Sequence, residues 1–429
     1  MKIGFVVHFF DFRNDVRRVI EEVSRQHEVI LFVRKDDLHL VEALVSDTVA
    51  LRVVAEKVNS LKNRLWDQMF RFFGKLPRSV QNFYLMEYFK ISLDARPNVR
   101  TKAYSLLALA MKLPKTITYD HYLKNISFSG KTRIDDIGQF ICFTDISDSY
   151  LFARLLSGKK SVKVYVYSWD HPCKQVKFSR KATYLVWHQG IRQDMVELQN
   201  TPAVQVKVIG ASQFGYIHDF LSKPTETWQN HYPFEYLYFG CAIGILSLAQ
   251  QEVHLIKAVS QLMLQAGSRF RLVVRPYPGL KDWSVYDPLK QLPNVVLDDA
   301  FRTGNMSVSD THIMEKYVKI HFAKAFIHLG TTMGLEACFT QTPSLILDFP
   351  EFKRGAGILT IANFVHQYQN DKYLMAHDFP NVVRSQQQFR EILGLLDTSP
   401  DRLRIYNQEV VRNIPLKSFA DFARDLIAA

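Results

Sequence analysis

Cysteine is scarce: there are four in 429 residues, Cys142, Cys173, Cys241 and Cys338, with no Cys-x-x-Cys pair. That spacing argues against a disulfide framework and against a structural zinc site, and it suits a reducing compartment. Long apolar runs are also missing. The longest clean one, Leu106 to Met111, falls far below the roughly 20 residues a membrane span needs, so no bilayer crossing is expected. The opening MKIGFVVHFF has no small-residue cleavage site and reads as a first buried strand, not as a signal peptide. The first loop, HFFDFRND, lacks Gly-x-Gly-x-x-Gly, which argues against dinucleotide binding by this half. No short repeat, low-complexity tract, RNP, KH or helix-turn-helix pattern occurs, so nucleic acid is not an expected partner.

What is present is globular composition: 47% hydrophobic, 22% charged and 13% aromatic residues. The length is too great for one ordinary core and suits two domains of about 200 residues each. Lys2–Phe9 is buried-strand material. Val16, Val19, Ile20 and Val23 then recur at helical spacing, with Asp11 or Asn14 available as N-cap, and EVILFVR (Glu28–Arg34) is apolar again. Strand, helix and strand within about 35 residues make a βαβ unit and hence a parallel sheet. Further strands are expected at Gln139–Thr144, Val162–Tyr167, Ala182–Trp187 and Gln205–Ile209. After the polar, proline-bearing segment 222–233, expected as a linker, a second series begins. Its strands are Glu235–Phe239, Arg269–Arg275, Asn294–Leu297, Ala325–Leu329 and Ser344–Leu347, with a helix over Gln250–Gln265 and helices from Gln386 onward. The expected architecture is α/β, two doubly wound Rossmann-like domains: residues 1–221 and 234–429, with the final helices free to pack back on the first.

The most informative stretch is AFIHLGTTMGLEACFTQTPSLILDFP, residues 325–350. A strand ends at Gly330, and Thr331 and Thr332 open a helix whose N–H groups and positive dipole end suit a diphosphate. Glu336 lies four residues on, where a carboxylate could accept from ribose hydroxyls. The plainer account is that a threonine caps the helix and Glu336 is solvated. Location favours the ligand, since open α/β sheets bind ligands at the carboxyl ends of their strands.

Strand, Gly-Thr-Thr, helix with Glu, then Thr-x-Pro-Ser-x-x-Leu resembles the donor-side signature of GT-B glycosyltransferases. It is similar to those of bacterial surface-carbohydrate synthesis, with Thr331 standing for a serine and Thr342 for a glycine. YLYFG (Tyr236–Gly240), with Glu252 on the following helix, and VVRPYPG (Val273–Gly279) resemble two more strand ends of that domain. In the first half, YVYSWDHPCKQ (Tyr165–Gln175) resembles the family's Ser-Trp-Asp-Asn segment. Leu185–Phe214 resembles the stretch beyond it, so the likeness covers roughly residues 140–350.

The resemblance implies two domains facing a cleft and a nucleotide-sugar co-substrate, with neither cofactor nor metal. It also implies an acceptor that is a glycan or a lipid-linked sugar in polysaccharide synthesis, for a capsule or lipopolysaccharide. Gly240, Arg275, Tyr277, Gly330, Thr331, Thr332 and Glu336 would hold the donor; Arg275 as a surface ion-pair residue is the alternative. Inversion needs a general base. Asp170 is the first choice, with its neighbour His171 and, in the first loop, His8, Asp11 and Asp15 behind it. An Asx-turn is the plain alternative for Asp170. His188 reads equally as a satisfied rim histidine, and His171 with Cys173 is too small a set for a metal. Two other enzymes share such motifs, a sugar-nucleotide 2-epimerase and a CDP-polyol phosphotransferase of teichoic-acid type.

Net charge is +12, and residues 51–120 carry +8 of it, with 13 Lys and Arg against 5 Asp and Glu. Within residues 58–113, Lys62, Arg64, Arg71, Lys75 and Arg78 alternate with Trp66, Phe70, Phe72 and Phe73, and Phe83, Tyr84, Tyr88 and Phe89 follow. A cytoplasmic location is expected, and because that mixture suits an anionic membrane surface, it extends to a peripheral place on the inner face of the cytoplasmic membrane. Aromatics packed in a core under solvated charges are the alternative.

Overall fold

The computed structural model describes residues 1–7, 14–55, 57–74, 117–128, 130, 132–143, 150–157, 160–174, 177–244, 246–300, 309–349, 372–375 and 379–429. The chain divides into two compact units, Met1–Gly215 with Pro415–Ala429, and Tyr216–Ile414. The division falls within the helix Gly215–Leu221. Segment 222–233 lies in the second unit, where the Trp228 ring stacks on Phe220 at 5.0 Å.

Seven strands are described in the first unit: β1 (Lys2–Val6), β2 (Glu28–Val33), β3 (Val49–Val53), β4 (Gln139–Phe143), β5 (Val162–Tyr165), β6 (Thr183–Val186) and β7 (Val206–Val208). They lie parallel in the order β3-β2-β1-β4-β5-β6-β7. Parallel strands need crossovers that cover both faces, so central strands read as unbroken apolar runs; β4 and β5 are buried at every residue. The sequence reading misses β3 because Arg52 interrupts its apolar run. At this sheet edge Arg52 pairs with Asp136 at 2.6 Å.

The helix Asn14–Ser24 buries Val16, Val19, Ile20 and Val23, each at most 3% exposed. Each such burial contributes about 1.5–3 kcal/mol before chain entropy is subtracted. This helix packs against the last one, Phe419–Ala428, and Arg18 lies over the Phe419 ring at 5.0 Å. Ser418 caps the last helix by accepting from the Asp421 N–H. At its other end Lys163 of β5 donates to the Ile427 carbonyl at 2.5 Å, and Lys207 of β7 donates to that of Ala429. Cations at a helix C-terminus satisfy its open carbonyls and its dipole together.

The second unit repeats the plan. Its described strands are β8 (Tyr236–Gly240), β9 (Arg271–Arg275), β10 (Val295–Leu297), β11 (Ala325–His328), β12 (Ser344–Leu347) and β13 (Val382–Val383). They lie parallel in the order β10-β9-β8-β11-β12-β13. β13 escapes the sequence reading because two residues carry no periodicity. The helix Leu246–Gln265 buries Leu255, Ile256, Val259, Leu262 and Met263. The helices Gln386–Thr398 and Asp401–Val411 close this unit. Thr342, standing where the resembled pattern has glycine, donates its hydroxyl to the Ile320 carbonyl at 2.8 Å.

In both units the chain leaves the first strand in one direction and later returns to pair on its other side. The direction reverses between β1 and β4, and between β8 and β11. Such a switch point is where open α/β sheets hold ligands, just beyond the carboxyl ends of the strands.

Candidate functional site

At the switch point of the second unit three strand ends lie side by side. Gly240 pairs in register with Arg275, and Phe239 with Ile327. Gly240 is a packing glycine, since a Cβ there would meet the Phe326 ring at 2.5 Å. Beyond it the backbone turns over Glu252 of the helix Leu246–Gln265, whose Oε1 accepts from the Ala242 N–H at 3.0 Å. Glu252 is 0% exposed, and burial raises its carboxyl pKa to about 8. Gly244 fits beneath Tyr277, where a Cβ would come within 2.9 Å of the ring, so the loops after β8 and β9 touch. Arg275 is 6% exposed, which is not the position of a surface ion-pair residue. Deeper in the same unit Asp298 accepts from Tyr238 and Lys319, each at 2.6 Å, in a buried cluster.

After β11 the chain turns at Gly330 (φ +88°), a conformation glycine adopts without strain, and enters the helix Thr332–Phe339. Thr331 is the N-cap residue, yet its hydroxyl makes no capping hydrogen bond, and its buried Oγ1 has no partner among the described residues. The simple capping role is therefore not the one Thr331 plays. The Gly334 N–H goes to the Thr331 carbonyl at 2.9 Å. The N–H groups of Thr332 and Met333 remain at the mouth, with no acceptor among the described residues.

Glu336 is 4% exposed and faces Lys316, whose Nζ lies 2.8 Å from Oε1 and 2.7 Å from Oε2. Tyr317 also donates to it, at 3.3 Å. Glu336 is thus a buried ion-pair residue, not a solvated one.

Sequence reasoning missed His328. It ends β11, is 0% exposed, and its Nδ1 accepts from the N–H groups of Gly330 at 3.0 Å and Thr331 at 3.2 Å. A polar residue closing an apolar strand just before the turn was the available signal.

The rim of the first unit is arranged differently. Asp170 follows β5 in a turn and accepts from the Ser168 hydroxyl at 2.5 Å. His171 is 7% exposed, and its N–H bonds the Ser168 carbonyl at 3.1 Å. Asp15, 5% exposed, accepts from Ser212 at 2.6 Å and Tyr167 at 3.1 Å, so both its oxygens serve as ties. His188 caps the helix Gln189–Glu197 by accepting at Nδ1 from the Gly190 N–H, and burial lowers its pKa to about 4. His8, Asp11 and the Cys173 side chain lie outside the described residues. Cys142, Cys241 and Cys338 are buried free thiols, and burial raises the pKa of each. Among the described residues no three His, Cys, Asp or Glu side chains gather as a metal site would require, and no helix is long and apolar enough to cross a membrane.

No family model and no curated protein matches the sequence. Solved structures do match in three dimensions. A Listeria monocytogenes protein assigned as a UDP-N-acetylglucosamine 2-epimerase superposes with TM-score 0.52 at 10% identity, over 100% of this chain and 95% of that one. S. aureus MnaA, in a co-structure with UDP, gives 0.51 at 9% identity, over 99% and 95%. CalG4, the calicheamicin glycosyltransferase, gives 0.48 at 10% identity, over 100% and 97%. At such identities the likeness speaks for fold alone. With its parallel sheets of seven and six described strands, the chain has the GT-B-type fold of two Rossmann-like units.

Proposed function

We propose that this protein is a nucleotide-sugar enzyme, a glycosyltransferase that binds its donor on the second unit and transfers the sugar to a hydroxyl of a glycan or lipid-linked acceptor. The observation that carries the reading is the open helix end at the switch point. The Thr332 and Met333 N–H groups and the Thr331 hydroxyl, none with a partner among the described residues, meet there beside Gly330. Backbone donors and a helix dipole at one point suit a diphosphate, and they oppose the charge that develops on it as the sugar leaves. Arg275 and Tyr277 are assigned to the phosphate and the base. A carboxylate offers about four acceptor positions, so Glu336 can keep Lys316 and Tyr317 and still accept from a ribose hydroxyl. Asp170 is assigned the acceptor's proton, with His171 and Asp11 as the next candidates. The test is a thermal-shift panel of UDP-, GDP-, CMP- and CDP-linked donors, with single-stranded RNA as control. A protein stabilised by none of the donors would end this reading.

The superposition on the Listeria protein favours a second reading, a 2-epimerase. Incubation with UDP-GlcNAc alone, followed by proton NMR, separates the two, because an epimerase changes the sugar without an acceptor. Stabilisation by CDP-polyols alone would point to polyol-phosphate transfer instead.

One surface favours the transferase and a lipid-linked acceptor. On the helix Leu61–Phe73, Leu61 (74% exposed), Leu65 (56%), Met69 (41%) and Phe73 (43%) form an outward apolar stripe at i, i+4 spacing. Lys62 and Arg64 are exposed on the same helix, and their hydrogen-bond partners among the described residues, Ser127 and Asn59, are neutral. An apolar stripe among cations is suited to an anionic lipid surface. The rest of the basic block, residues 75–116, lies outside the described residues. Sedimentation with anionic vesicles should carry the protein down at low salt, and Leu61→Glu with Leu65→Glu should leave it in the supernatant.

A further inference from the structure

We propose that His328 is a positioning residue that selects which donors the second unit offers to a diphosphate; this rests on the donor reading above. A helix entrance has several open N–H groups, and a turn built on Gly330 could present those of residues 330 to 333 together. Here the imidazole removes two of them. Its Nδ1 accepts from both Gly330 and Thr331. Backbone N–H groups only donate, so Nδ1 carries no proton and the ring proton sits on Nε2. Nε2 lies 2.8 Å from Ser344 Oγ on β12, and the ring stacks on Phe326 at 5.6 Å. Gly334 closes the remaining side: a Cβ there would lie 2.2 Å from the imidazole Cε1. Strand, neighbouring strand and helix thus hold one fully buried ring in one orientation and one tautomer.

The consequence is selection. With the Gly330 and Thr331 N–H groups turned inward to His328, the phosphate position moves to the Thr332 and Met333 N–H groups and the Thr331 hydroxyl. The same contact fixes the peptide planes of the turn and thereby where that hydroxyl lies. His328 touches no ligand in this arrangement and acts through the turn.

Two near-isosteric variants separate the roles of the ring's two nitrogens. Asparagine places its amide oxygen near the position of Nδ1 and can still accept from the turn. Glutamine reaches toward Ser344 and leaves the turn without its acceptor. The measurement is the affinity of UDP, GDP and CDP relative to uridine, guanosine and cytidine, because that ratio isolates the phosphate contribution. His328→Asn should keep the wild-type ratio, and His328→Gln should lower it by about tenfold or more, with nucleoside affinity unchanged in both. A merely structural histidine predicts equal effects from both variants, and that result overturns the proposal. Should His328→Gln not fold, His328→Leu replaces it: it fills the apolar strand end and offers the Gly330 and Thr331 N–H groups no acceptor, so the ratio should fall. An unchanged ratio in His328→Leu also overturns the proposal. If wild-type protein binds the diphosphates no better than the nucleosides, the donor reading itself fails and this inference with it.

Discussion

The two units share a strand order and differ at their rims. In the first, the described polar groups past the strand ends close on one another: Asp15 with Ser212 and Tyr167, Asp170 with Ser168, His188 with the Gly190 N–H. In the second, a helix mouth keeps donors that nothing described satisfies. Two histidines make the contrast concrete. His188 and His328 both stand just after or at the end of a strand, and each accepts at Nδ1 from the N–H two residues on. His188 thereby finishes a cap. His328 takes a second N–H, from Thr331, and so decides which donors are left over. A common fold therefore does not make a common site, because the sheet fixes where loops emerge and individual side chains fix what those loops offer.

If the rims divide the labour as proposed, the largest effect should come from the first one. Asp170→Asn keeps the side-chain shape and removes the base, so turnover should fall by about 10²–10⁴ with donor affinity unchanged. Full turnover would leave Asp170 as the loop tie that its bond to Ser168 already makes it.

Glu336→Ala should act on stability as well as binding. It leaves Lys316, 14% exposed, without its carboxylate, and breaking such a pair costs about 3 kcal/mol. Urea unfolding measures this. An unchanged midpoint would mean that Lys316 finds another partner and that Glu336 is held for the ligand alone.

The units should also respond oppositely to pH. Glu252 has its pKa raised from 4.5 to about 8, so its contribution is fully present below pH 4.5 and lost as pH rises through about 8. His188 has its pKa lowered from 6.5 to about 4, so its contribution is present above pH 6.5 and lost as pH falls through about 4. Across these windows the two amount to roughly 5 kcal/mol for Glu252 and roughly 3 kcal/mol for His188. Stability measured against pH should lose part of its fall between pH 4.5 and about 8 in Glu252→Gln, and part of its rise between about pH 4 and 6.5 in His188→Asn. Either variant leaving its own arm unchanged would contradict the assigned burial effect.

The smallest effect separates stability from binding most sharply. Thr331→Val removes a buried hydroxyl that has no partner among the described residues. Stability should therefore hold or rise by about 1 kcal/mol, while affinity for the bound nucleoside diphosphate falls by a similar amount. Loss of stability would show that the hydroxyl is part of the turn's own framework.

How much of this was legible in the chain follows from how local each signal is. Burial periodicity is a property of neighbouring residues, so EVILFV, QFICF and SLIL appear as strands, and the Val16–Val23 face as a helix, within a residue or two of their observed limits. β3 and β13 were hidden, one by an arginine whose partner is 84 residues away and the other by its length of two residues. The turn at Gly330 was legible for the same reason, since strand, glycine and two threonines are consecutive.

The chemistry of that turn was not legible. Glu336 looks like an open carboxylate in sequence, and only the packing of the helix Asp310–Phe322 brings Lys316 and Tyr317 onto it. His328 looks like an interruption in an apolar strand. Its tautomer is set by the Gly330 and Thr331 N–H groups, and its ring is held by Ser344 across the sheet and by Gly334 in the helix beyond the turn. The sequence alone determined two parallel α/β units and the turn proposed here to hold a ligand, because hydrophobic periodicity and turn residues act over a few positions. Tertiary structure decided which donors and carboxylates in that loop are free, because that depends on partners from distant parts of the chain, and a buried polar group is costly to leave without one.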